Sequence, residues 1–170
     1  MAYYSEIEQI LNLSCSYLME NQNICKLLSC YPEKVDFSYN PLSNPDIENP
    51  TKLLMDKIYP LPKTPDPETE QICFVTVGIT GGNMSYNQGY RKNLLIFDIV
   101  CHLDVWLIRG GYRPFKIIKE IDQTFNNISL DNFTINKLHP LPIKSVAYSD
   151  KFYGYQMAYE IITNSNIECG

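Results

Sequence analysis

The sequence predicts an α+β fold, in which a mostly antiparallel sheet of four to five strands packs on an N-terminal helix and a central helix. Three observations predict this fold. Residues 95–107 are apolar at every second position, which is the period of a strand with one buried face. Pro114 to Phe125 has apolar residues at helical spacing. Two further stretches, 72–79 and 143–163, are rich in β-branched and aromatic residues and complete two hairpins.

The first element is a helix over residues 5–29, whose apolar residues fall on one side. Ser5 and Glu8 form a capping-box pattern at its start, and Pro32 ends it. A break is expected around 21–23, where Asn, Gln and Asn follow one another. Residues 1–37 are therefore predicted to be an N-terminal helical segment.

Residues 38–70 form a proline-rich segment, which we call the strap, because it holds seven of the eleven prolines. Proline and the residue before it disfavour helix, so the strap should be extended. One short helical turn is expected at 51–58, capped by Thr51 or Asn49. A loop of this length in a small domain is seldom idle. Two interpretations remain open: an arm that lies on a neighbouring subunit, or a strap over the surface of its own domain.

The α+β core domain is predicted over residues 71–163, followed by a flexible polar tail at 164–170. Its first strand, 72–79, leads into a Gly- and Asn-rich loop at 80–90 that is expected to be mobile or ordered by a partner. The long strand, 94–108, would span ~50 Å if straight, so it should bend, carry a bulge or project as an arm. Its buried face is predicted to hold alternate residues that include Leu103, Val105 and Leu107.

The central helix follows Arg109-Gly110-Gly111, with Pro114 suited to its first turn. Its apolar stripe is predicted to consist of Phe115, Ile118, Ile121 and Phe125, with Ile117 beside them. The last hairpin pairs 143–149 with 153–163 around Asp150-Lys151-Phe152.

Composition excludes some classes of function. The net charge of −5 and the pI near 5.0 argue against a protein that grips nucleic acid through its phosphates. No apolar run reaches the length of a membrane span and the N-terminus lacks the basic start of a signal peptide, so a soluble protein made in the cytoplasm is expected. Six cysteines without a C-x-x-C pair are expected to be reduced thiols in the core.

We predict no catalytic residues, no metal site and no cofactor, and therefore no enzyme. Asp98, His102 and Asp104 share one face of the predicted strand. Asp98 and His102 would lie ~13 Å apart along it, so they could not hold one metal ion together. Gly78-x-x-Gly81-Gly82 resembles a phosphate cradle, yet a strand rather than a helix follows it.

The abundant tyrosines indicate contacts between proteins, because tyrosine covers apolar surface while its hydroxyl stays wet. Many of the thirteen tyrosines lie at the ends of elements or in loops. From loop position and residue type, the predicted subunit interface comprises Tyr59, Gly81, Gly82, Asn83, Tyr86, Tyr90 and Trp106.

The order of elements resembles that of the tail-terminator and tail-completion proteins of tailed bacteriophages and of related neck proteins. The residues that carry this resemblance are the strands at 72–79 and 94–108, the Gly110-Gly111-Tyr112-Arg113-Pro114 turn with its helix, and the hairpin at 143–162. The run from Phe97 to Trp106 followed by Arg113 to Ile117 is also similar to neck proteins of the crAss-like group.

This resemblance implies a structural virion protein at the head–tail junction, assembled in the host cytoplasm. Its partners would be further copies of itself in a six- or twelve-fold ring, and neighbouring portal, neck or tail proteins. DNA would pass through without sequence-specific binding, and neither a membrane nor a small-molecule substrate is implied. The long strap departs from the compact members of the family.

Two alternatives stay open. One is a small α+β enzyme or ligand-binding domain with a pocket between sheet and helices that contains His102 or His139. The other is an adaptor domain for a cellular complex, with no role in a virion.

Overall fold

The computed structural model describes residues 3–66, 72–84, 89–131 and 133–164. Within these ranges the chain forms three α-helices: α1 (Tyr3–Glu20), α2 (Gln22–Ser29) and α3 (Arg113–Phe125). It also forms seven strands: β1 (Ile58–Tyr59), β2 (Cys73–Met84), β3 (Tyr90–His102), β4 (Leu107–Ile108), β5 (Gly111–Tyr112), β6 (Lys144–Ala147) and β7 (Phe152–Asn164).

The main sheet of the described chain has five strands in the order β1-β2-β3-β7-β6, and β4 and β5 form a separate small hairpin. β1 runs parallel to β2, while the other neighbours in the main sheet are antiparallel. The helices pack on one face of this sheet around a core that includes Ile10, Leu27, Phe97, Ile121 and Tyr159, all fully buried. The predicted α+β fold is confirmed.

The N-terminal helix breaks where the sequence predicts. α1 ends at Glu20, and the side chain of Asn21 accepts hydrogen bonds from the backbone N–H groups of Asn23 and Ile24 at the start of α2. Because a side-chain oxygen satisfies these first donors of the new helix, the chain restarts rather than continues. The predicted cap at Ser5 is wrong, since α1 already begins at Tyr3.

The strap, as far as it is described, follows the surface of its own domain. Lys26 forms an ion pair of 2.7 Å with Asp46, and the side chain of Gln22 accepts a hydrogen bond from Ile47 N at 2.8 Å. Further along, β1 adds to the edge of the sheet. The helical turn predicted at 51–58 is a shorter 3₁₀ turn, Pro50–Leu53, and neither predicted cap forms, because Asn49 is the N-cap residue but makes no capping hydrogen bond.

The long strand bends at His102 and does not continue to Ile108. Its backbone enters a 3₁₀ turn, Leu103–Val105, which His102 caps by accepting a hydrogen bond from Asp104 N at 3.2 Å. Leu103 is 46% exposed and Leu107 39%, so both are wrongly predicted to lie on the buried face, whereas Val105 is buried. Of the predicted bend, bulge or projecting arm, the chain makes a bend: the strand ends at His102, and a local side-chain hydrogen bond stabilises the turn that follows.

The buried face of α3 is rotated from the predicted stripe. Ile117, Ile121 and Phe125 are fully buried, while Phe115 is 43% exposed. Apolar residues three and four positions apart form two overlapping stripes on this helix, one that includes Phe115 and Ile118 and one that includes Ile117 and Ile121. The second stripe is the one that packs against the core. The helix begins at Arg113, with Pro114 in its first turn as predicted.

Both hairpins form, with changed bounds. β2 runs on to Met84, so much of the loop predicted at 80–90 is strand, and residues 85–88 lie outside the described ranges. β6 and β7 pair from Lys144↔Gln156 to Ala147↔Tyr153, close to the predicted hairpin. Residues 165–170, which make up most of the predicted tail, also lie outside the described ranges.

Candidate assembly surfaces

The predicted interface residues of the first hairpin lie at its distal end. Gly81 sits beside a register shift in the β2–β3 ladder and has φ +111°, a conformation that favours glycine. Tyr90 opens β3 and is 43% exposed. Gly82 and Asn83 belong to the strand, and Tyr86 lies outside the described residues.

Trp106 lies at the other end of the sheet and begins a row of aromatic side chains. Its ring is 6.1 Å from that of Tyr155, which is 4.7 Å from Phe115, which in turn is 6.3 Å from Tyr112. Tyr112 is 51% exposed and Phe115 43%. We call Trp106, Tyr155, Phe115 and Tyr112 the aromatic row. Of these four residues, the sequence predicts only Trp106 at an interface, because helical spacing predicts Phe115 to lie in the core.

Tyr59 is buried within its own domain, at 6% exposure. Its ring packs edge-on against Phe74 at 5.7 Å, its hydroxyl donates to Asp56 O at 2.5 Å, and Lys63 Nζ lies 3.8 Å from the ring centre. The side chain therefore offers little surface to a partner. Its residue type and its position in the strap predict an interface residue, but β1 places it against the outer face of the sheet.

One edge of the sheet is β6, whose residues are largely exposed. Tyr148 N donates to Phe152 O at 3.0 Å, so Tyr148 and Phe152 form a hydrogen-bonded pair. From this pair toward Lys144, non-hydrogen-bonded and hydrogen-bonded pairs alternate along the β6–β7 ladder. Ser145 and Ala147 occupy the non-hydrogen-bonded positions opposite Tyr155 and Tyr153. Their backbone N–H and C=O groups consequently point away from β7 into the space beyond the sheet.

The opposite edge is the distal half of β2. β1 covers β2 only at Val75 and Thr76, and in the described residues no strand pairs with the outer side of 78–84. The sheet thus has one available edge on each side: β6 on one, and β2 beyond Gly78 on the other.

The polar residues of β3 do not form a metal site. Asp98 accepts hydrogen bonds from Gln156 at 2.8 Å and Thr76 at 3.2 Å, while His102 is buried and caps the turn that holds Asp104. Burial, together with the carboxylate of Asp98, raises the pKa of Tyr148. Across the described ranges, no group of three or more His, Cys, Asp or Glu side chains could hold a metal ion.

Arg113 is a residue of structural importance that sequence analysis missed. It is fully buried, and its donors bind three backbone carbonyls: Val105 O at 2.8 Å, Leu27 O at 2.7 Å and Cys30 O at 3.1 Å. The last two belong to the end of α2, where helical carbonyls lack partners. An arginine before a proline carries no sequence signal for this role, because its acceptors come from a distant helix.

An open cleft of about 890 Å³ lies between the end of α2 and the strap. It is lined by acidic, basic and apolar side chains, among them Glu33, Glu48, Lys52, Asp56 and Lys57. Neither His102 nor His139 lines it, contrary to the pocket expected for a ligand-binding domain.

Comparison with protein families gives one result that covers most of the chain. The YomW family model matches residues 21–161, from the end of α1 through most of β7. This chain belongs to the YomW family. The YomW name derives from a Bacillus phage of the SPbeta type, which associates the family with phages. A search of the curated proteins found no match. No helix in the described part of this YomW-family chain is long and apolar enough to cross a membrane.

Proposed function

We propose that this YomW-family chain is a structural protein of a phage virion, a ring-forming neck or tail-terminator component at the head–tail junction, and not an enzyme. It would assemble in the host cytoplasm, contact portal, neck or tail proteins, and line the path of the DNA. The observation that carries the proposal is the pair of available sheet edges, β6 on one side and β2 beyond Gly78 on the other.

Two different edges on opposite sides of one sheet suit head-to-tail contact between identical subunits. In such a contact the β6 edge of one copy meets the β2 edge of the next, and repetition closes a ring when the rotation permits. Backbone pairing would satisfy the outward donors and acceptors of Ser145 and Ala147. It would also remove edges that otherwise promote aggregation.

The aromatic row lies beside the β6 edge and would enlarge the same contact. Tyr155, at the centre of the row, is the direct cross-strand partner of Ser145. Exposed tyrosine and phenylalanine side chains are enriched at the centres of protein interfaces because they bury a large area with little loss of conformational freedom. Backbone pairing and aromatic burial would then act in one interface.

The charge of the chain supports a role beside DNA without tight binding to it. A net charge of −5 gives little attraction for phosphates, so DNA could move past such a surface without being held. The family's association with phages supports the same setting.

The test is the particle formed in solution, measured by light scattering and negative-stain electron microscopy over a range of protein concentrations. Rings with rotational symmetry are expected. Ser145→Pro should prevent them, because proline removes the outward N–H while leaving the ladder to β7 intact. Ser145→Ala is the matched control, since it keeps that N–H and should assemble like the parent chain.

A partner ring is the second arm of this test, because some ring proteins close only on a preformed platform. The purified chain would be mixed with portal and neck proteins from the same phage, and co-sedimentation measured. Binding that is lost in Ser145→Pro and kept in Ser145→Ala supports the proposal. A strict monomer that binds none of these proteins contradicts it.

The cleft beside α2 favours a second candidate, a small ligand-binding domain. Its volume of about 890 Å³ is within the range of small-molecule sites. A screen for ligands that raise the melting temperature would test it, with Lys57→Ala as the variant expected to abolish the shift. No shift with any ligand class, together with ring formation, would remove this candidate.

A further inference from the structure

Cys73 and Cys101 are direct partners across the β2–β3 ladder. His102 N donates to Ile72 O at 2.9 Å, so Ile72 and His102 form a hydrogen-bonded pair. The two types of pair alternate along an antiparallel ladder, so the neighbouring pair of Cys73 and Cys101 is non-hydrogen-bonded. Consistent with this, Cys73 N donates away from β3, to the hydroxyl of Tyr31 at 2.8 Å.

A non-hydrogen-bonded pair has the geometry that a cross-strand disulfide needs. Such pairs have Cα atoms ~4.5 Å apart with side chains on the same face, within the roughly 4.4–6.8 Å that disulfides span. Both cysteines belong to the helix-facing core and are fully buried there. Both are free thiols.

The other described cysteines lack such a partner arrangement. Cys15 is in α1, and Cys25 in α2 directs its sulfur to the carbonyls of Met19 and Leu18. Cys30 lies at the end of α2 and is partly exposed. Cys169 lies outside the described residues.

We propose that Cys73 and Cys101 are a modification site, at which a low-molecular-weight disulfide such as oxidised glutathione converts the two thiols to an intramolecular cross-strand disulfide. A thiolate at Cys73 attacks one sulfur of glutathione disulfide, forms a mixed disulfide and releases one glutathione thiolate. The thiolate of Cys101 then attacks the Cys73 sulfur and releases the second glutathione. The protein loses two electrons and two protons, and one glutathione disulfide becomes two thiols.

Burial sets the rate of this reaction. It raises the pKa of the Cys101 thiol well above its ordinary value, with the neighbouring Cys73 acting in the same direction and the positive charge of Arg113 opposing it. The folded thiols therefore react slowly with solutes, and oxidation proceeds through local opening. Cys73 is the first residue of β2, so fraying of that strand exposes it before Cys101, which lies in β3 between two neighbouring strands. This inference is independent of the proposed ring.

The product would tie the start of β2 to the end of β3 and close the intervening hairpin covalently. A cross-link of this loop length restricts the unfolded chain and should raise Tm by about 5 °C or more. The Cα separation of such pairs is at the short end of the disulfide range, so a small dithiol should reduce the bond once local opening exposes it.

The experiment incubates the native full-length chain with oxidised glutathione, with and without sub-denaturing urea. Remaining thiols are then alkylated under denaturing conditions, and peptides are mapped by mass spectrometry without reduction. A linked peptide pair containing Cys73 and Cys101 is expected, at a rate that rises with urea, together with the rise in Tm. Cys101→Ser should abolish the linked pair and the rise in Tm, whereas Cys25→Ser should keep both.

A second variant protects the test against loss of folding. Cys73→Ala removes the thiol with little change in volume, and circular dichroism would establish that its sheet is retained. If Cys73 and Cys101 of the parent chain are both alkylated after oxidation in sub-denaturing urea, or if either is linked to another cysteine instead, the proposal is wrong.

Discussion

Arg113 Nη1 donates a hydrogen bond of 2.7 Å to the carbonyl oxygen of Leu27, a residue 86 positions away. The same guanidinium reaches Cys30 O and Val105 O, and its central carbon lies 4.9 Å from the ring of Tyr31. A single buried cation thus holds the end of α2, the turn after β3 and the start of α3 together.

Replacing Arg113 by methionine should lower the free energy of unfolding by about 2–4 kcal/mol. Three buried carbonyls lose their hydrogen-bond donor, and each lost hydrogen bond costs about 1 kcal/mol or more. Methionine also removes the cost of burying a positive charge, but this gain offsets only part of the loss. Urea denaturation measures the change. Arg109→Met, at an exposed position four residues earlier, is the control and should change stability by less than about 0.5 kcal/mol. Equal stability of the two variants would contradict the structural role of Arg113.

Gly154 lies in β7, where the backbone of β3 leaves no room for a side chain. A Cβ built there would lie 1.8 Å from Ile99 O, so alanine would force the two central strands apart. Gly154→Ala should destabilise the chain by about 3 kcal/mol or more, or prevent folding.

Gly78→Ala is the matched control for this substitution. Gly78 lies in β2, where the strand has β3 on one side only, and a Cβ there meets nothing within 4 Å. It should leave stability unchanged or raise it by about 0.5 kcal/mol, because alanine restricts the unfolded chain. Thermal and urea unfolding of both variants would test the contrast, and similar losses at the two positions would refute it.

Asn21 caps α2 and also links it to α3. Its oxygen accepts from Asn23 N and Ile24 N, while its amide nitrogen donates to Thr124 Oγ1 at 3.1 Å. Asn21→Ala should reduce stability by about 1–2 kcal/mol, the usual loss for an N-cap residue. Asn23→Ala, two residues later at an exposed position, should lose less than about 0.5 kcal/mol. If Asn23→Ala lost as much stability as Asn21→Ala, the N-cap hydrogen bonds of Asn21 would not be the cause of its effect.

Buried thiols should make the fold sensitive to alkaline pH. Burial raises the pKa of Cys15 and of Cys25 from 9.0 to about 11. A folded pKa above the unfolded one gives stability that is complete below pH ~8.5 and is lost as pH rises through the folded value. The urea midpoint should therefore fall between pH 8.5 and 11.

The variant Cys25→Ala separates this effect from general alkaline denaturation. It creates a small cavity and lowers stability at neutral pH, but its urea midpoint should decline less steeply from pH 8.5 to 11 than that of the parent chain. The comparison uses the slope with pH and not the absolute midpoint. Identical slopes would mean that Cys25 does not titrate differently in the folded and unfolded states.

The periodicity of the chain by itself determined which segments are helices and which are long strands. The break at Asn21, the helix after Pro114 and the last hairpin all follow from residue type and spacing, because a period of two or of about 3.6 needs only local information. The same is true of the α+β class. Burial of Cys15, Cys25, Cys73 and Cys101 also follows, because a reduced cysteine behaves as a small apolar residue, whereas Cys30 is partly exposed.

Tertiary structure decided where those elements end and which side chains remain accessible. The long strand stops at His102, although alternating apolar residues continue to Leu107, and Arg113 from α3 holds the turn that follows through Val105 O at 2.8 Å. Phe115 is exposed and Tyr59 is buried. The elements packed around each residue, and not its own segment, determine whether its side chain is covered. The alternation at residues 73 and 101 is visible in the sequence, but only the β2–β3 register places the two thiols opposite each other. Register and long-range packing depend on residues distant in the chain, and no local pattern encodes them.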